Sequence, residues 1–298
     1  MTRLIFGISA WADEGLLKSG FYPPEAKTSA ERLKFYASTV SLAEIDSTYH
    51  SFATAKNMAT WLDSTPDGFQ FNFKAFSMFT QHPTPYQSLP RNFRETYGGR
   101  IEAKASIYAH HLPEEALDDL WLGFARTAEV FAAAGKLGAV LFQFPPWFHP
   151  SPANYEYIVS CRNRLPGFPL AVEFRVGSWL DDEHRQKTLD VLAKNKMTTV
   201  CVDEPQGLKS SVPPLVEVTA PLAIVRFHGR NKENWESKGA MPDGKFDYLY
   251  RTEELAEWVP KIREMAGRAE VLQVVFKNKH SDNPVRNALE MKKLLGVT

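Results

Sequence analysis

The 298-residue sequence predicts an α/β fold, a single (β/α)8 TIM barrel over residues 1–298 with an enlarged loop after the third strand. Eight short apolar segments alternate with helical segments, as in a parallel sheet whose strands are joined by crossover helices. Eight such units in a chain of this length fit a closed barrel. No repeat, low-complexity tract or linker divides the sequence into smaller domains.

The composition fits a folded domain with a full hydrophobic core and a balanced charge. Hydrophobic residues make up 44%, enough for a full core, and 35 Lys and Arg balance 35 Asp and Glu. This balance gives no electrostatic case for nucleic acid or an anionic membrane as a partner. No apolar stretch suits a signal peptide or a membrane span, and Cys161 and Cys201 lack metal-site spacing. We therefore expect a cytoplasmic protein with two free thiols.

Three strand and helix units are predicted in the first part of the chain. Thr28 and Glu31 have the spacing of a capping box, and Thr54 is a second helix N-cap. The segment FQFNFKA alternates apolar and polar residues, which is typical of a strand. The expected strands are 4–8, 42–46 and 69–75, and the expected helices are 29–38 and one between Thr54 and Pro66.

Residues 77–111 follow the third strand and show no regular pattern. They contain several prolines and the pair Gly98-Gly99. The segment is longer than an ordinary connection between two elements, so we expect a lid or a binding insertion.

Five further units complete the predicted barrel. Pro113 and Pro284 suit the first turns of helices. Prolines between positions 205 and 214 interrupt the connection after the sixth strand, so its helix is expected to be missing or short. The expected strands are 137–144, one within 170–179, 198–203, 223–227 and 271–276. The expected helices are 113–134, one from Ser151-Pro152, 181–194, one from Thr252 through Trp258, and 284–295.

The fifth strand, in the stretch LAVEFRVGSW, carries charge on one face only. Leu170, Val172 and Phe174 share one parity, whereas Glu173 and Arg175 share the other. Successive strand side chains point to opposite faces. In a parallel barrel the apolar face meets the helices, and the polar face turns inward at the C-terminal mouth, where the active sites of such barrels lie.

The predicted register places polar side chains inward at the ends of most strands. A barrel interior is otherwise filled by branched apolar side chains, and buried charge is costly unless it is paired or used. For one residue, a structural ion pair such as Glu173 with Arg226 is an equal alternative; for the whole ring we favour a functional site. The inward residues are Ser9, Glu44, Asp46, Asn72, Lys74, Gln143, Glu173, Arg175, Asp203, Arg226 and His228.

These residue types indicate acid/base chemistry on a small, polar, anionic substrate. Two carboxyl groups in different environments divide the acid and base roles, and cationic side chains hold a phosphate or carboxylate. The expected catalytic residues are Glu173, Asp203, Glu44 and His228. The expected clamp residues are Arg175, Arg226 and Lys74. The other expected binding residues are Asp46, Asn72, Gln143, Trp11, Tyr49, Trp179 and Asn278.

Three of these carboxylates are expected to crowd the mouth. Repulsion of Glu173 by Asp203 and Glu44 would oppose folding, so Glu173→Gln is expected to be neutral or stabilising. If Glu173 is instead half of a buried ion pair, the same substitution costs on the order of 3–5 kcal/mol.

A metal site is a further possibility. Glu173, Asp203 and His228 end three successive strands, an arrangement similar to that of metal-dependent sugar isomerase and epimerase barrels. The last strand offers Lys277 and Asn278 in place of a carboxylate. Since a cation opposes a divalent ion, we expect no metal. The motifs GxGxxG, P-loop, HExxH and GxSxG do not occur in the sequence, so no organic cofactor is expected.

Several short segments follow one another in a recognisable order. They are GISAW at 7–11, FYP at 21–23, AEIDSTY at 43–49, the segment 61–66, FNFKAF at 71–76, LGAVLFQFPP at 137–146, VEFRVGSW at 172–179, Asp203, VRFHG at 225–229 and FKN at 276–278. In this order the chain resembles the YecE-like family, domain of unknown function 72. The resemblance implies a TIM barrel and supports the mouth residues, and it implies no particular reaction.

Three positions depart from the pattern of that family. Asp46 and Lys277 each stand where the family has Asn, and Val176 replaces the His of the ExRHxSW segment. These changes put a shared substrate in question. The leading hypothesis is an enzyme of hydrolase or isomerase/lyase type. The alternatives are a non-catalytic barrel that binds or senses a small ligand, and a metal-dependent sugar isomerase or epimerase.

Overall fold

Eight parallel strands close into a barrel in the computed structural model, which describes residues 2–9, 11–102, 104–236 and 242–297. Ala10 of the GISAW segment and Ala103 of the insertion lie outside the described residues. The order around the barrel is β1-β2-β3-β6-β7-β8-β9-β10, which confirms the predicted (β/α)8 fold. The strands are β1 (Arg3–Ser9), β2 (Leu42–Ile45), β3 (Gln70–Lys74), β4 (Thr84–Pro85), β5 (Ser106–Ile107), β6 (Leu137–Gln143), β7 (Leu170–Glu173), β8 (Met197–Asp203), β9 (Leu222–Phe227) and β10 (Val271–Phe276).

The helices follow the predicted alternation with the strands. Thr28 and Glu31 form the predicted capping box, and the side chains of Thr54 and Ser151 cap two further helices. The helices are α1 (Glu14–Lys18), α2 (Ser29–Thr39), α3 (Ala55–Asp63), α4 (Arg91–Tyr97), α5 (Glu114–Ala133), α6 (Pro152–Arg164), α7 (Arg185–Lys194), α8 (Lys232–Trp235), α9 (Pro242–Lys245), α10 (Thr252–Ala256), α11 (Val259–Ala266) and α12 (Asn283–Leu295).

The connections that follow β8 and β9 test two of the predicted helices. Residues 204–221, all of which the structure describes, contain no helix, as the prolines of this region predict. The single helix expected from Thr252 through Trp258 is wrong, because the chain forms α10 and then α11, with Trp258 as the residue that precedes α11. The Trp258 ring is fully buried there, and its indole nitrogen bonds to Asp203.

The apolar faces of the strands pack against the helices, and polar residues enter the barrel interior. Phe71 and Phe73 of β3 contact Phe131 of α5 edge-on, at centroid distances of 5.3 and 4.6 Å. On the opposite face of β3, the Asn72 amide donates to Gln273 of β10. Since β3 and β10 are not neighbours, this bond crosses the interior. Among the described residues, no helix has the length and apolar character needed to cross a membrane.

The insertion after β3 has more regular structure than its sequence indicates. It contains the antiparallel pair β4 and β5, the helix α4 and several short 3-10 turns. Phe79 stacks on Trp121 of α5 at 3.8 Å, and Tyr97 donates to Asp119 of the same helix. Near its start, the ring of His82 lies 5.3 Å from Tyr49, which is a residue of the barrel mouth.

Candidate functional site

Buried ion pairs cross the C-terminal mouth of the barrel. Arg226 of β9 donates to Glu173 of β7 and to Glu44 of β2, and all three side chains are fully buried. Neither β7 nor β2 neighbours β9, so the guanidinium lies across the interior. We use the name ion-pair network for these residues and the side chains bonded to them, namely Glu44, Glu173, Arg175, Glu204, Arg226 and His228.

Glu173 is the centre of the ion-pair network. Besides Arg226, its carboxylate lies 3.3 Å from a terminal nitrogen of Arg175 and 3.2 Å from Nε2 of His228. Burial opposes the charge, but the positive neighbours, Arg226 above all, hold the pKa of Glu173 well below its usual range. Glu173 therefore stays ionised, and the predicted pairing of Glu173 with Arg226 is present.

His228 stays neutral beside Glu173. Burial lowers the pKa of the imidazole to about 3, and the attraction of Glu173 offsets only part of this effect. The Nδ1 atom is buried without a hydrogen-bond partner among the described residues. Trp235 and Phe246 cover the ring at centroid distances of 6.2 and 6.0 Å.

Glu204 is a member of the network that the sequence analysis missed. It is 2% exposed, one carboxyl oxygen accepts from the Val212 amide at 2.8 Å, and the other lies 3.5 Å from Arg175. Burial raises the pKa of Glu204 to about 7, against the opposing attraction of Arg175. Glu204 and Glu173 thus share one guanidinium and differ in protonation near neutral pH.

Asp203 faces the opposite way from its predicted position. In the β8 and β9 register, Val202 pairs with Arg226 and Asp203 with Phe227, so Asp203 points out of the barrel. Its carboxylate accepts from Arg230, Tyr250 and Trp258. The predicted pair of Glu173 and Asp203 is therefore wrong. Both faces of β8 are buried, and such a strand gives no alternating pattern from which to read its parity.

A second group of charges, which we call the lysine cluster, adjoins the ion-pair network. It consists of Asp46, Lys74, Lys277 and Lys279. Lys279 bonds to Asp46 at 3.0 Å, and the three lysines hold the pKa of Asp46 below its usual range although burial opposes this. Lys74 lies 4.5 Å from the centre of the Tyr49 ring, which places both predicted residues at the mouth.

Lys277 also belongs to this cluster, although it was not among the predicted binding residues. It follows β10, is 6% exposed and lies 5.5 Å from the centre of the Phe246 ring. Burial and then the charge of Lys74 lower the pKa of Lys277 well below the ordinary lysine value. Burial likewise lowers the pKa of Lys74, against the attraction of Asp46.

Two predicted binding residues lie away from the mouth. Trp179 has no exposed surface, because it stacks on Phe174 at 4.5 Å and its indole nitrogen donates to the Phe148 carbonyl. Asn278 follows Lys277 and faces the helix layer, where its amide donates to Asn287 of α12. Trp179 is enclosed by aromatic packing, and Asn278 has the opposite parity to Lys277, so neither side chain faces the mouth.

The other predicted binding residues occupy different depths of the barrel. Asn72 is paired with Gln273 inside the barrel. Gln143 lies at the end of β6, opposite Glu173 in the register. Trp11 packs edge-on against Trp61 at 5.8 Å and lines a cleft of about 470 Å³, which Glu44 and Asp46 also line. A larger cavity of about 780 Å³ opens at the other end of the barrel, around the strand starts, and no predicted site residue lines it.

Buried polar atoms without partners concentrate in and beside the mouth. Buried side-chain atoms are nearly always hydrogen-bonded in folded proteins, so such a group indicates a site that takes water or a ligand. In the described part of the chain, those at the mouth are Oγ of Ser9, Oε2 of Glu44, Oδ1 of Asp46, Oε1 of Gln143, Oε2 of Glu204, Nε of Arg226 and Nδ1 of His228.

The ligand set considered for a metal is not assembled. Glu173 and His228 are in contact, but Asp203 lies outside the barrel with Arg230. Among the residues that the structure describes, no three His, Cys, Asp or Glu side chains are placed to hold a metal ion.

Comparison with known proteins supports the fold and the family. The chain is 29% identical to the UPF0759 protein YunF of Bacillus subtilis (strain 168), over 99% of this chain and 95% of that protein. It is similar to the crystal structure of a DUF72 family protein from Thermotoga maritima MSB8, with 29% identity, a TM-score of 0.76 and 99% of each chain covered. A DUF72 family protein from Enterococcus faecalis V583 gives a TM-score of 0.80 at 25% identity, over 99% of this chain and 96% of that one.

A family model described as protein of unknown function DUF72 matches residues 5–298. This match covers nearly the whole barrel, including every strand that contributes to the ion-pair network and the lysine cluster. The chain therefore belongs to the DUF72 family.

Proposed function

We propose that the protein is an enzyme that transfers protons to and from a small anionic substrate bound at the barrel mouth. The observation that carries this proposal is the contrast between Glu173 and Glu204. The two carboxyl groups share Arg175, yet the pKa of Glu173 is well below its usual range and that of Glu204 is raised to about 7. A pair of carboxyl groups held in different protonation states is the arrangement that acid/base enzymes use.

In this proposal Glu204 replaces Asp203 as the residue that exchanges a proton. A pKa near 7 lets a carboxyl group accept and return a proton at neutral pH with little loss in either direction. Glu173 keeps its charge and bonds to the guanidinium of Arg175. This bond holds Arg175 in position beside Glu204. Neutral His228 contacts the same carboxylate and offers a further polar atom to a ligand.

The lysine cluster supports the choice of an anionic substrate. Besides Lys277, four cationic side chains meet four carboxyl groups at the mouth, and Glu204 is only partly ionised at neutral pH. Arg226 is already bonded to two carboxylates, so it is a poor clamp residue. Lys74 has no carboxylate within 4.0 Å among the described residues and is the better anion ligand. A phosphate or carboxylate group beside it would offset the excess positive charge.

Binding is tested by thermal unfolding with inorganic phosphate and with small sugar phosphates. A ligand that binds the folded state raises the melting temperature by mass action. We expect this rise in the wild type and in Lys34→Gln, which alters an exposed lysine of α2, and we expect Lys74→Gln to lose it. An equal rise in Lys74→Gln would assign the anion to another site.

Catalysis is tested by NMR in deuterated buffer with dihydroxyacetone phosphate. We expect the wild type to incorporate deuterium at carbon, and Glu204→Gln to lose this exchange while it keeps the response to phosphate. Binding of phosphate without exchange in a panel of small sugar phosphates and 2-oxo acids would favour the alternative of a ligand-sensing barrel.

A further inference from the structure

Lys277 is a buried amine without an ion-pair partner. In the part of the chain that the structure describes, no carboxylate lies within 4.0 Å of its Nζ and no hydrogen bond reaches it. Lys279, two residues further on, has the opposite surroundings, because it bonds to Asp46 at 3.0 Å. An isolated buried ammonium is costly, so the chain gains from keeping Lys277 neutral.

The neighbours of Lys277 favour its neutral form on balance. Burial has the largest effect, and the positive charges of Lys74 and Arg226 act in the same direction. Asp46 and Glu44 act in the opposite direction, but each is already bonded to another cation, Lys279 and Arg226 respectively. A lysine desolvated beside another cation is the form in which this side chain acts as a nucleophile.

We propose that Lys277 forms an imine with a small carbonyl compound that also carries an anionic group. This inference rests on the proposed function, which supplies Lys74 as the ligand for the anionic group. The Lys277 amine is close enough to Lys74 for the charge of that lysine to act on it, and it lies next to the apolar ring of Phe246. The substrate class narrows to phosphorylated or carboxylated ketones and aldehydes.

The covalent step needs no oxidant, reductant or second substrate. The lone pair of Nζ attacks the carbonyl carbon, and a C–N bond forms to give a carbinolamine. A proton from solvent or from a protonated mouth carboxyl joins the former carbonyl oxygen, the C–O bond breaks and water leaves. One amine, one carbonyl and one proton thus give one protonated imine and one water. The cation lies near the Phe246 ring, which stabilises positive charge.

The protonated imine would make the proton transfer of the proposed function chemically possible. It withdraws electrons from the neighbouring carbon, whose C–H bond becomes acidic. Glu204, with a pKa raised to about 7, is suited to remove that proton and return it. Imine formation therefore predicts that carbon-bound protons next to the carbonyl group exchange with solvent.

The experiment traps the imine by borohydride reduction and locates it by peptide mass spectrometry. The probes are dihydroxyacetone phosphate and its uncharged counterpart, dihydroxyacetone. We expect a borohydride-dependent adduct on the peptide that contains Lys277, and more of it with the phosphorylated probe. Lys277→Met should lose the adduct, and Lys34→Met should keep it. Mapping in the wild type alone identifies the lysine, so the assignment does not depend on the folding of Lys277→Met.

A pH series with dihydroxyacetone shows whether the Lys277 amine has a lowered pKa or reacts in the same way as an exposed lysine. Each unit by which a lysine pKa is lowered gives about tenfold more neutral amine at a pH below that pKa. Trapping at Lys277 should therefore continue at lower pH than at exposed lysines. Lys74→Met removes the main cationic neighbour and should shift the Lys277 profile to higher pH.

Three outcomes would overturn the inference. One is a protein whose melting temperature rises with phosphate and which incorporates deuterium into substrate, but which gives no adduct on Lys277; the imine is then rejected and the proposed function stands. Another is an adduct on Lys277 whose pH profile matches that of exposed lysines and ignores Lys74→Met. Loss of both the phosphate response and the adduct would reject the inference and the proposed function together.

Discussion

The guanidinium of Arg226 lies against the carboxylate of Glu173 across the barrel, and neither side chain has any exposed surface. A second nitrogen of Arg226 bonds to Glu44 in the same way. Removing one member of a buried pair leaves the other charged and unmatched, which costs more than the intact pair contributes to stability. The pair therefore holds the mouth in place, and the residues that act on a ligand are to be sought among its neighbours.

Glu173→Gln is expected to be strongly destabilising. The substitution leaves Arg226 with one carboxylate in place of two and should lower the free energy of unfolding by about 3–5 kcal/mol. This reverses the sign expected from the sequence, which assumed that Asp203 crowds Glu173. Chemical denaturation of both proteins at neutral pH measures the difference.

A matched variant checks the cause of that loss. Glu173→Gln combined with Arg226→Met removes both charges and should be less destabilised than the sum of the single variants. A neutral or stabilising effect of Glu173→Gln alone would contradict the ion-pair role and restore the crowding hypothesis.

Asp203→Asn is expected to affect stability and leave ligand binding unchanged. The carboxylate is bonded to Arg230, Tyr250 and Trp258 on the outer side of the barrel. Loss of its charge should reduce the free energy of unfolding by about 1.5–3 kcal/mol, the usual range for a hydrogen bond to a charged group. The phosphate-induced rise in melting temperature should equal that of the wild type, and its loss would return Asp203 to the binding site.

The fold was predictable because its signal is repeated along the chain. Each strand and helix pair adds an independent instance of the same alternation, and capping residues such as Thr28 and Ser151 mark helix starts directly. An error at one boundary does not change the count of units. The division of the expected helix into α10 and α11 therefore left the barrel prediction intact.

The site was harder to predict because it depends on parity, which a shift of one residue reverses. In the alternating segment FQFNFKA, the side chains expected to point inward include Asn72 and Lys74. Asn72 bonds to Gln273 inside the barrel, and Lys74 lies beside Tyr49 at the mouth. β8 is buried on both faces, so its sequence gives no such guide, and Asp203 was chosen over Glu204. The pairing of Val202 with Arg226 decides the parity, and this register exists only in three dimensions.

Trp179→Ala is expected to cost stability without affecting the ligand site. The indole is fully buried between aromatic rings and bonds to the Phe148 carbonyl. Truncating a buried Trp leaves a cavity and should lower the free energy of unfolding by about 3–5 kcal/mol. Thermal unfolding with and without phosphate tests this, and a diminished phosphate response would indicate that Trp179 contributes to the pocket after all.

Glu204 is expected to make stability fall as the pH rises through the neutral range. Its pKa is about 7 in the folded protein against an ordinary value of 4.5, so between these values the folded state holds a proton that the unfolded chain has lost. When the folded state binds more protons, the free energy of unfolding decreases with rising pH. A pKa shift of this size lowers the free energy of unfolding by about 3 kcal/mol, and the loss is complete above about pH 7.

Urea denaturation at a series of pH values from 4.5 upward measures the difference in unfolding free energy between Glu204→Gln and the wild type. His228, with a pKa of about 3, acts in the opposite direction below its ordinary value of 6.5, but it is present in both proteins and cancels in the difference. We expect the variant to gain about 3 kcal/mol on the wild type between pH 4.5 and about pH 7. Glu25→Gln, at an exposed position, should show no such trend. If the curves for Glu204→Gln and the wild type run parallel, Glu204 titrates like an ordinary carboxyl group, and its assignment as the proton-transferring residue fails.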